Sequence, residues 1–168
     1  MDLYLVRHAI AYEADATRWP DDRDRPLTPE GEKRFRRAAR GLAQLVSSVD
    51  VVLSSPYSRA WRTAELLASD AQWPKPVVCE PLEAGASPAG VLQALQAHAE
   101  ASAVALVGHE PDMHQLVSYL LTADPTRAQV EFRRGGVARL DLPTGLQPGR
   151  ARLVWLLAPK VLRACRTS

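Results

Sequence analysis

Short, uninterrupted apolar runs alternate along this chain with segments of helical periodicity. The runs are predicted to be strands and lie at residues 3–6, 51–53, 77–79, 103–107, 130–132, 137–142 and 151–157. Apolar residues at helical spacing occupy residues 29–46, 58–69 and 88–98 and resume near residue 111. The clearest helix start is Thr28-Pro29-Glu30, since threonine caps, proline suits the first turn and glutamate complements the helix dipole. The chain is therefore predicted to alternate strands and helices.

The strands lack a polar face, which predicts a largely parallel sheet that is buried on both sides. The late runs at 130–132 and 137–142 follow each other in hairpin-like order and should add an antiparallel element. We expect an α/β fold, a three-layer sandwich with helices on both faces of the sheet. Residues 9–25 show neither periodicity and are predicted to be a loop. With 168 residues and no internal repeat or linker, residues 1–168 are predicted to form a single domain.

Composition narrows the classes of partner and location. A net charge of +2 gives no reason to expect a nucleic-acid partner. No apolar run approaches the ~20 residues that cross a bilayer, and the first residues do not resemble a signal peptide. Cys79 and Cys165 show no metal-ligand spacing, and no disulfide is needed. We expect a cytoplasmic protein that binds neither nucleic acid nor membrane.

Polar side chains follow three of the predicted strands. Arg7 and His8 come after the first strand, Arg59 follows Ser54-Ser55 after the second, and His109 follows the run that ends at residue 107. Ligands of open α/β sheets bind at the carboxyl ends of the strands. Two histidines and two arginines from distant parts of the chain are therefore predicted to meet at one edge of the sheet.

This set of side chains is suited to phosphoryl transfer. Arginines bind phosphate oxygens through a planar fork of donors, and a neutral imidazole is a competent nucleophile. Catalysis then requires positioning and charge stabilisation, with no metal or cofactor. Taken singly, Arg7 is explained by a surface ion pair and His8 by a hydrogen-bonded histidine at a strand end, so only the set indicates catalysis. Two arginines beside the histidines would repel a divalent cation, which disfavours a metal site.

Three stretches in this order resemble the signatures of the histidine phosphatase, or phosphoglycerate mutase-like, superfamily. They are LYLVRHA at residues 3–9, SSPYSRAWRTAELL at 54–67 and VGHEPDM at 107–113. Ala9 stands where the superfamily usually has glycine. That change, together with RPLTPEG, FRRGGVARLDL and WLLAP, resembles the SixA-like phosphohistidine phosphatase branch.

The resemblance implies a role for each matching position. His8 would be phosphorylated transiently, while Arg7, Arg59 and His109 hold the phosphoryl group. Arg25 resembles a further phosphate-binding arginine, and a loop ion pair with a nearby aspartate explains it equally well. Ser55 and Thr63 resemble positions that support the pocket wall.

The proton donor is the point at which the chain departs from many superfamily members. Such members carry an acidic donor after the third strand, where this chain has Glu80 and Glu83 outside the fuller motif. SixA-like proteins are similar in this respect. Imidazole is a better leaving group than an alkoxide, so general-acid help of about 10²- to 10⁴-fold is less necessary. Glu83 is kept as a candidate proton donor.

The leading functional hypothesis is a phosphatase that hydrolyses phosphohistidine on a partner protein through a covalent phosphohistidine intermediate. The expected substrate is a phosphorylated domain of the histidine-phosphotransfer type, which would place the protein in signal transduction. One alternative is a phosphatase of the same chemistry that acts on small phosphomonoesters. Another is a phosphate-dependent binding module without turnover.

Overall fold

A six-stranded sheet runs through the structure, a computed structural model in which residues 1–165 are described. The strands are β1 (Asp2–Arg7), β2 (Val51–Ser54), β3 (Val77–Val78), β4 (Ala103–Gly108), β5 (Val137–Asp141) and β6 (Arg152–Leu157). The helices are α1 (Pro29–Leu42), α2 (Ser58–Asp70), α3 (Pro88–Leu95), α4 (Asp112–Thr122) and α5 (Pro159–Leu162). Short 3-10 turns lie at Asp22–Asp24, Glu80–Leu82 and Gln96–His98. The four longer helices were predicted, whereas α5 was not.

The strand order is β3-β2-β4-β1-β5-β6. Strands β1 and β2 pair in parallel with β4 on either side of it, so that Arg7 lies opposite Gly108 and Ser54 opposite Val107. Strand β5 is antiparallel to β1, and β6 is antiparallel to β5. The predicted fold class, a mostly parallel sheet with an antiparallel element, is confirmed. The carboxyl ends of β1, β2 and β4 lie together at one edge.

Both faces of the sheet are covered by helices. Tyr4 and Val6 pack in a cluster with residues of α1, α2 and α5, whereas Leu3 and Leu5 pack on the other face with residues of α3 and α4. This alternation along β1 follows from the two-residue period of a strand. Leu3 and Leu5 have no exposed surface, and burying one such side chain contributes about 1.5–3 kcal/mol. The three-layer arrangement predicted from continuous apolar strands is therefore observed.

Helix α1 begins where the sequence predicted and is docked onto the loop at residues 9–25. Thr28 is its N-cap, with the side-chain oxygen accepting a hydrogen bond from the Gly31 amide at 2.9 Å. A Cβ atom at Gly31 would collide with the Ile10 carbonyl, so glycine permits the close approach of helix and loop. The loop is otherwise irregular, apart from its 3-10 turn and a bridge between Ala11 and Leu27.

The predicted strand at residues 130–132 is wrong. This segment has no regular secondary structure and joins no sheet. The Phe132 carbonyl accepts a hydrogen bond from Arg7 Nη1 at 2.6 Å, and its side chain is buried. The Gly136 amide then donates to Arg133 O at 2.7 Å in a tight turn that leads into β5. The antiparallel element is instead formed by β5 with β1 and β6.

The helices of the described chain are short, and the longest, α1, has 14 residues. Across residues 1–165, none combines the length and the apolar character required to cross a bilayer. Cys79 and Cys165 are both free thiols, and Cys79 is buried.

Candidate active site

The structure brings Arg7, His8, Arg59 and His109 together at the carboxyl edge of β1, β2 and β4. Arg7 is the last residue of β1, with His8 directly after it, and His109 directly follows β4. Arg59 lies in the first turn of α2, just after β2. The ring centroids of His8 and His109 are 5.3 Å apart. His8, Arg59 and His109 are 8%, 3% and 2% exposed, so their charges interact in a largely water-excluded site.

His8 is held as a neutral imidazole with one defined tautomer. Its Nδ1 lies 2.7 Å from the Ala9 carbonyl oxygen, which can only accept, so Nδ1 carries the proton and Nε2 has a free lone pair. Burial, together with the nearby charges of His109, Arg59 and Arg7, lowers the pKa of His8 to about 3. The unprotonated Nε2 has the electronic form that nucleophilic attack requires.

Backbone and hydroxyl hydrogen bonds fix the position of His8. Its amide donates to Gly108 O at 3.0 Å, which ties it to the end of β4. The Ala9 amide donates to Thr63 Oγ1 at 3.0 Å, and the same hydroxyl donates to Arg59 O at 2.7 Å. Thr63 is fully buried in α2. One hydroxyl therefore links the segment after β1 to the turn of α2 that carries Arg59.

His109 is fixed from the opposite side by residues that follow β2. Its Nε2 lies 2.8 Å from Ser55 Oγ, and its ring packs on Tyr57 with centroids 4.9 Å apart. Burial lowers the pKa of His109 to about 3, with a further contribution from the charge of Arg59. The ring is therefore neutral near neutral pH. Sequence reasoning did not identify Tyr57, and the motif SSPYSR contained the only signal for it.

Three buried nitrogen atoms at this site have no hydrogen-bond partner among the described residues. They are Arg7 Nε, Arg59 Nε and His109 Nδ1. Unpaired buried donors are costly, on the order of 1–3 kcal/mol each. An oxyanion supplies the acceptors that these groups lack. The arginine N–H groups in particular match the fork geometry with which guanidinium binds phosphate.

Asp22 connects Arg59 to Arg25. Asp22 Oδ2 lies 2.9 Å from Arg59 Nη2, and Oδ1 lies 2.6 Å from Arg25 Nε. Arg59 Nη1 also donates to the Asp22 carbonyl at 2.7 Å. Hydrogen bonding to Arg25, followed by the charge of Arg59, holds the pKa of Asp22 below its usual value. Arg25 thus forms the loop ion pair considered from the sequence, and that pair is itself attached to Arg59. Sequence reasoning missed Asp22, although it lies three positions before Arg25.

Arg7 is anchored by the segment that was wrongly predicted as a strand. Its Nη1 donates to Phe132 O, as described above, and burial lowers the pKa of the guanidinium. An arginine remains charged despite such a shift. Arg7 thus offers a fixed positive group beside His8.

Glu83 makes no hydrogen bond or ion pair with any of the four central residues in the part of the chain that the structure describes. Its carboxylate forms an ion pair with Arg23 Nη2 at 2.9 Å, and 25% of its side chain is exposed. Arg23 in turn lies over the Tyr57 ring at 5.6 Å. The contacts of Arg23 with Glu83 and with Tyr57, and of Tyr57 with His109, link Glu83 to the site only indirectly.

The remaining histidines lie elsewhere. His98 is half-buried in the 3-10 turn after α3, and His114 Nδ1 contacts Glu110 Oε2 at 3.0 Å. In the part of the chain that the structure describes, no group of three or more His, Cys, Asp or Glu side chains could hold a metal ion.

Comparisons with known proteins place this arrangement in context. The model of the histidine phosphatase superfamily (branch 1) matches residues 3–84. An uncharacterized protein of Picosynechococcus sp. is 35% identical over 159 residues, covering 91% of this chain and 88% of the relative. An uncharacterized protein of Mycobacterium tuberculosis is 29% identical over 165 residues, covering 92% of this chain and 100% of the relative.

Two solved structures are similar over almost the whole chain. The protein histidine phosphatase SixA complexed with tungstate superposes with a TM-score of 0.82 at 26% identity, covering 96% of this chain and 99% of that chain. A candidate phosphohistidine phosphatase SixA from Agrobacterium tumefaciens gives a TM-score of 0.76 at 27% identity, covering 94% and 97%. The resemblance predicted from the three signatures is confirmed.

Proposed function

Because the chain belongs to the histidine phosphatase superfamily, we propose that it hydrolyses phosphohistidine on a partner protein through a phospho-His8 intermediate. One observation carries the proposal: the Nδ1–H of a buried, neutral His8 is committed to Ala9 O, beside Arg59 and His109. The likeness to SixA, described as a protein histidine phosphatase, supports a phosphoprotein substrate. The proposed partner is a phosphorylated domain of the histidine-phosphotransfer type.

In the first step, the Nε2 lone pair of His8 attacks phosphorus. The bond between phosphorus and the substrate imidazole breaks, and its electron pair returns to the departing nitrogen. When the substrate ring is protonated on its other nitrogen, it leaves as a neutral imidazole and needs no acid from the enzyme. The positive charge that develops on the His8 ring is stabilised by the hydrogen bond from Nδ1 to Ala9 O.

In the second step, water attacks phosphorus and His8 leaves with the electron pair of the P–N bond. The Nδ1 proton stays in place throughout, so His8 returns directly to its starting tautomer. Arg7, Arg59 and His109 hold the equatorial oxygens, where the transition state carries its charge. Dihydrogen phosphate is released, which balances the water consumed. The proposed chemistry uses no metal ion and no cofactor, so turnover should be insensitive to chelators.

Arg25 is proposed to support substrate binding without touching the substrate. It holds Asp22, and Asp22 in turn positions Arg59. Glu83 is left without a required role, because a neutral imidazole leaves without general-acid help. We propose that residues 1–168 form one phosphatase domain. The family model matches residues 3–84, and the proposed site also needs His109, which lies beyond them.

Trapping the phosphoenzyme tests class and nucleophile together. The enzyme is mixed with a histidine-phosphotransfer domain phosphorylated by phosphoramidate, quenched in alkali and mapped by mass spectrometry. Phosphate is expected on His8, and His8→Asn should lose about 10³-fold or more in turnover. His98→Asn, which removes a histidine away from the site, is the matched control and should retain full activity. Wild-type turnover in His8→Asn would refute the mechanism.

Substrate class is tested by side-by-side assays of the phosphohistidine protein and small phosphomonoesters. The proposal expects kcat/KM to favour phosphohistidine and Glu83→Gln to leave that activity within about twofold. A preference for esters that is lost in Glu83→Gln would instead assign the chain to phosphomonoester hydrolysis, with Glu83 as the acid. Tight binding of the phosphoprotein with no turnover would indicate a binding module.

A further inference from the structure

A broad groove lined by basic side chains adjoins the active site. It has a volume of about 770 Å³ and is lined by six cationic residues, namely Arg7, Arg34, Arg133, Arg134, Lys160 and Arg163. No carboxylate is among its lining residues. The whole chain has 21 basic and 19 acidic residues, so this concentration of one sign is local. We call this surface the basic groove.

Only part of this positive charge is neutralised within the described chain. Arg34, Arg133 and Arg134 form exposed ion pairs with Glu30, Glu131 and Glu13. Such exposed pairs are weak and leave the cations available to a partner. Lys160 on α5 and Arg163, which directly follows α5, form no ion pair with any carboxylate in residues 1–165.

The basic groove is physically joined to the proposed nucleophile. Arg7 lines the groove and also stands beside His8. The turn that carries Arg133 and Arg134 is hydrogen-bonded to the same backbone, because the Gly135 amide donates to Arg7 O at 3.1 Å and to His8 O at 3.0 Å. The groove therefore begins at a residue that adjoins the nucleophile and shares backbone hydrogen bonds with it.

The size and chemistry of the groove indicate its occupant. A phosphoryl group needs a small fraction of 770 Å³, given that one water takes roughly 30 Å³ of liquid. Sites for small molecules are mostly apolar with a few polar groups, whereas six cations line this groove. No aromatic side chain lines it, so the base stacking that secures single-stranded nucleic acid has no platform here.

We propose that the basic groove is a docking surface for an acidic segment of the substrate protein that flanks the phosphohistidine. The inference rests on the proposed function and adds that the enzyme prefers substrates with acidic residues near the phosphohistidine. Arg7 would contact the phosphoryl group, while Lys160 and Arg163 contact carboxylates at a distance from it. Electrostatic complementarity of this kind acts mainly on association rate and specificity, so it should appear in kcat/KM and depend on salt.

Two synthetic phosphohistidine peptides test the inference. In one the residues on both sides of the phosphohistidine are glutamates, and in the other they are glutamines. At low salt the wild-type enzyme should favour the glutamate peptide by about tenfold in kcat/KM, and the preference should shrink as salt is raised. Equal kcat/KM for the two peptides would overturn the inference.

Charge-reversal variants test whether the preference for the glutamate peptide arises in the basic groove. Lys160→Glu combined with Arg163→Glu should abolish the preference for the glutamate peptide while leaving turnover of phosphoimidazole within about twofold. Arg150→Glu combined with Arg152→Glu is the matched control. It makes the same charge change where β6 begins, at the opposite ends of the strands from the active site. Loss of the preference in the control variant, or its survival in the groove variant, would overturn the inference.

The design separates this inference from the proposed function. If wild-type enzyme hydrolyses neither peptide nor phosphoimidazole, the proposed function fails. If it hydrolyses all three without preference, only the docking surface fails. An oligonucleotide that inhibits peptide hydrolysis, where oligoglutamate at equal charge does not, would assign the groove to nucleic acid and refute the acidic protein segment.

Discussion

Acidification to about pH 5 should destabilise this protein through its two buried active-site histidines. The pKa values of His8 and His109 are both lowered to about 3 in the folded chain. In the unfolded chain they return to about 6.5, so between these values the unfolded state binds more protons. Stability from this source is therefore fully present above pH 6.5 and is lost progressively as pH falls toward 3.

The size of the effect follows from the two pKa values. At about pH 5 the unfolded imidazoles are almost fully protonated and the folded ones are not, which costs about 2 kcal/mol for each histidine relative to about pH 7.5. The expected total for His8 and His109 is thus about 4 kcal/mol. Because both folded pKa values lie well below 5, this figure is set mainly by the unfolded state.

Urea unfolding at several pH values between about 5 and 7.5 measures the effect. A double variant, His8→Asn with His109→Asn, is the control, because it keeps His98 and His114 and every carboxylate. The loss of stability between about pH 7.5 and 5 should be about 4 kcal/mol larger in the wild-type protein than in this variant. If the wild-type protein and the double variant changed by equal amounts, the two histidines would not be held neutral by burial, and the assignment of His8 as a ready nucleophile would lose its basis.

Three further changes probe the hydrogen bonds and charges of the site. Thr63→Val should lower the unfolding free energy by about 1–3 kcal/mol in urea titration, because the buried Ala9 amide loses its acceptor; an unchanged midpoint would contradict this. Asp22→Asn should weaken tungstate binding about fivefold in calorimetry, since it removes the ion pair, worth roughly 1 kcal/mol, that positions Arg59, and tighter binding would show that the carboxylate mainly repels the anion. Inorganic phosphate at about 100 times its Kd should raise stability by about 2.7 kcal/mol in wild type and much less in Arg59→Ala, whereas equal gains would place the anion elsewhere.

The strands and the polar residues at their ends could be predicted because each depends on local sequence. Runs such as residues 103–107 are uniformly apolar, and this pattern specifies a strand buried on both faces wherever it is placed. Parallel pairing then carries Arg7, His8 and His109 to the same edge without further information. Helix α1 was equally clear, since Thr28 and Pro29 provide a cap and a first-turn signal.

The parts that could not be predicted depend on tertiary contacts. Residues 130–132 have the composition of a strand, but the Phe132 carbonyl binds Arg7 and the segment never reaches the sheet. The contact of Asp22 with Arg59 requires the loop at residues 9–25 to fold back across α2, which no local pattern specifies. Helix α5 has four residues, too few for periodicity to register, although buried Leu162 secures it against α1.

Strand β4 lies between β1 and β2, so its pairing with both strands is needed to assemble the site. Val107 pairs with Val6 on one side and with Ser54 on the other, so the three strand ends become neighbours only when distant parts of the chain have already joined. His8 and His109 are about a hundred residues apart, and no short stretch holds both. Pairings of such long sequence separation are slow to form, because loop closure costs conformational entropy before the contacts stabilise the chain. A chain in which β4 is unpaired therefore lacks the assembled site, because β1, α2 and the segment after β4 each carry a different part of it.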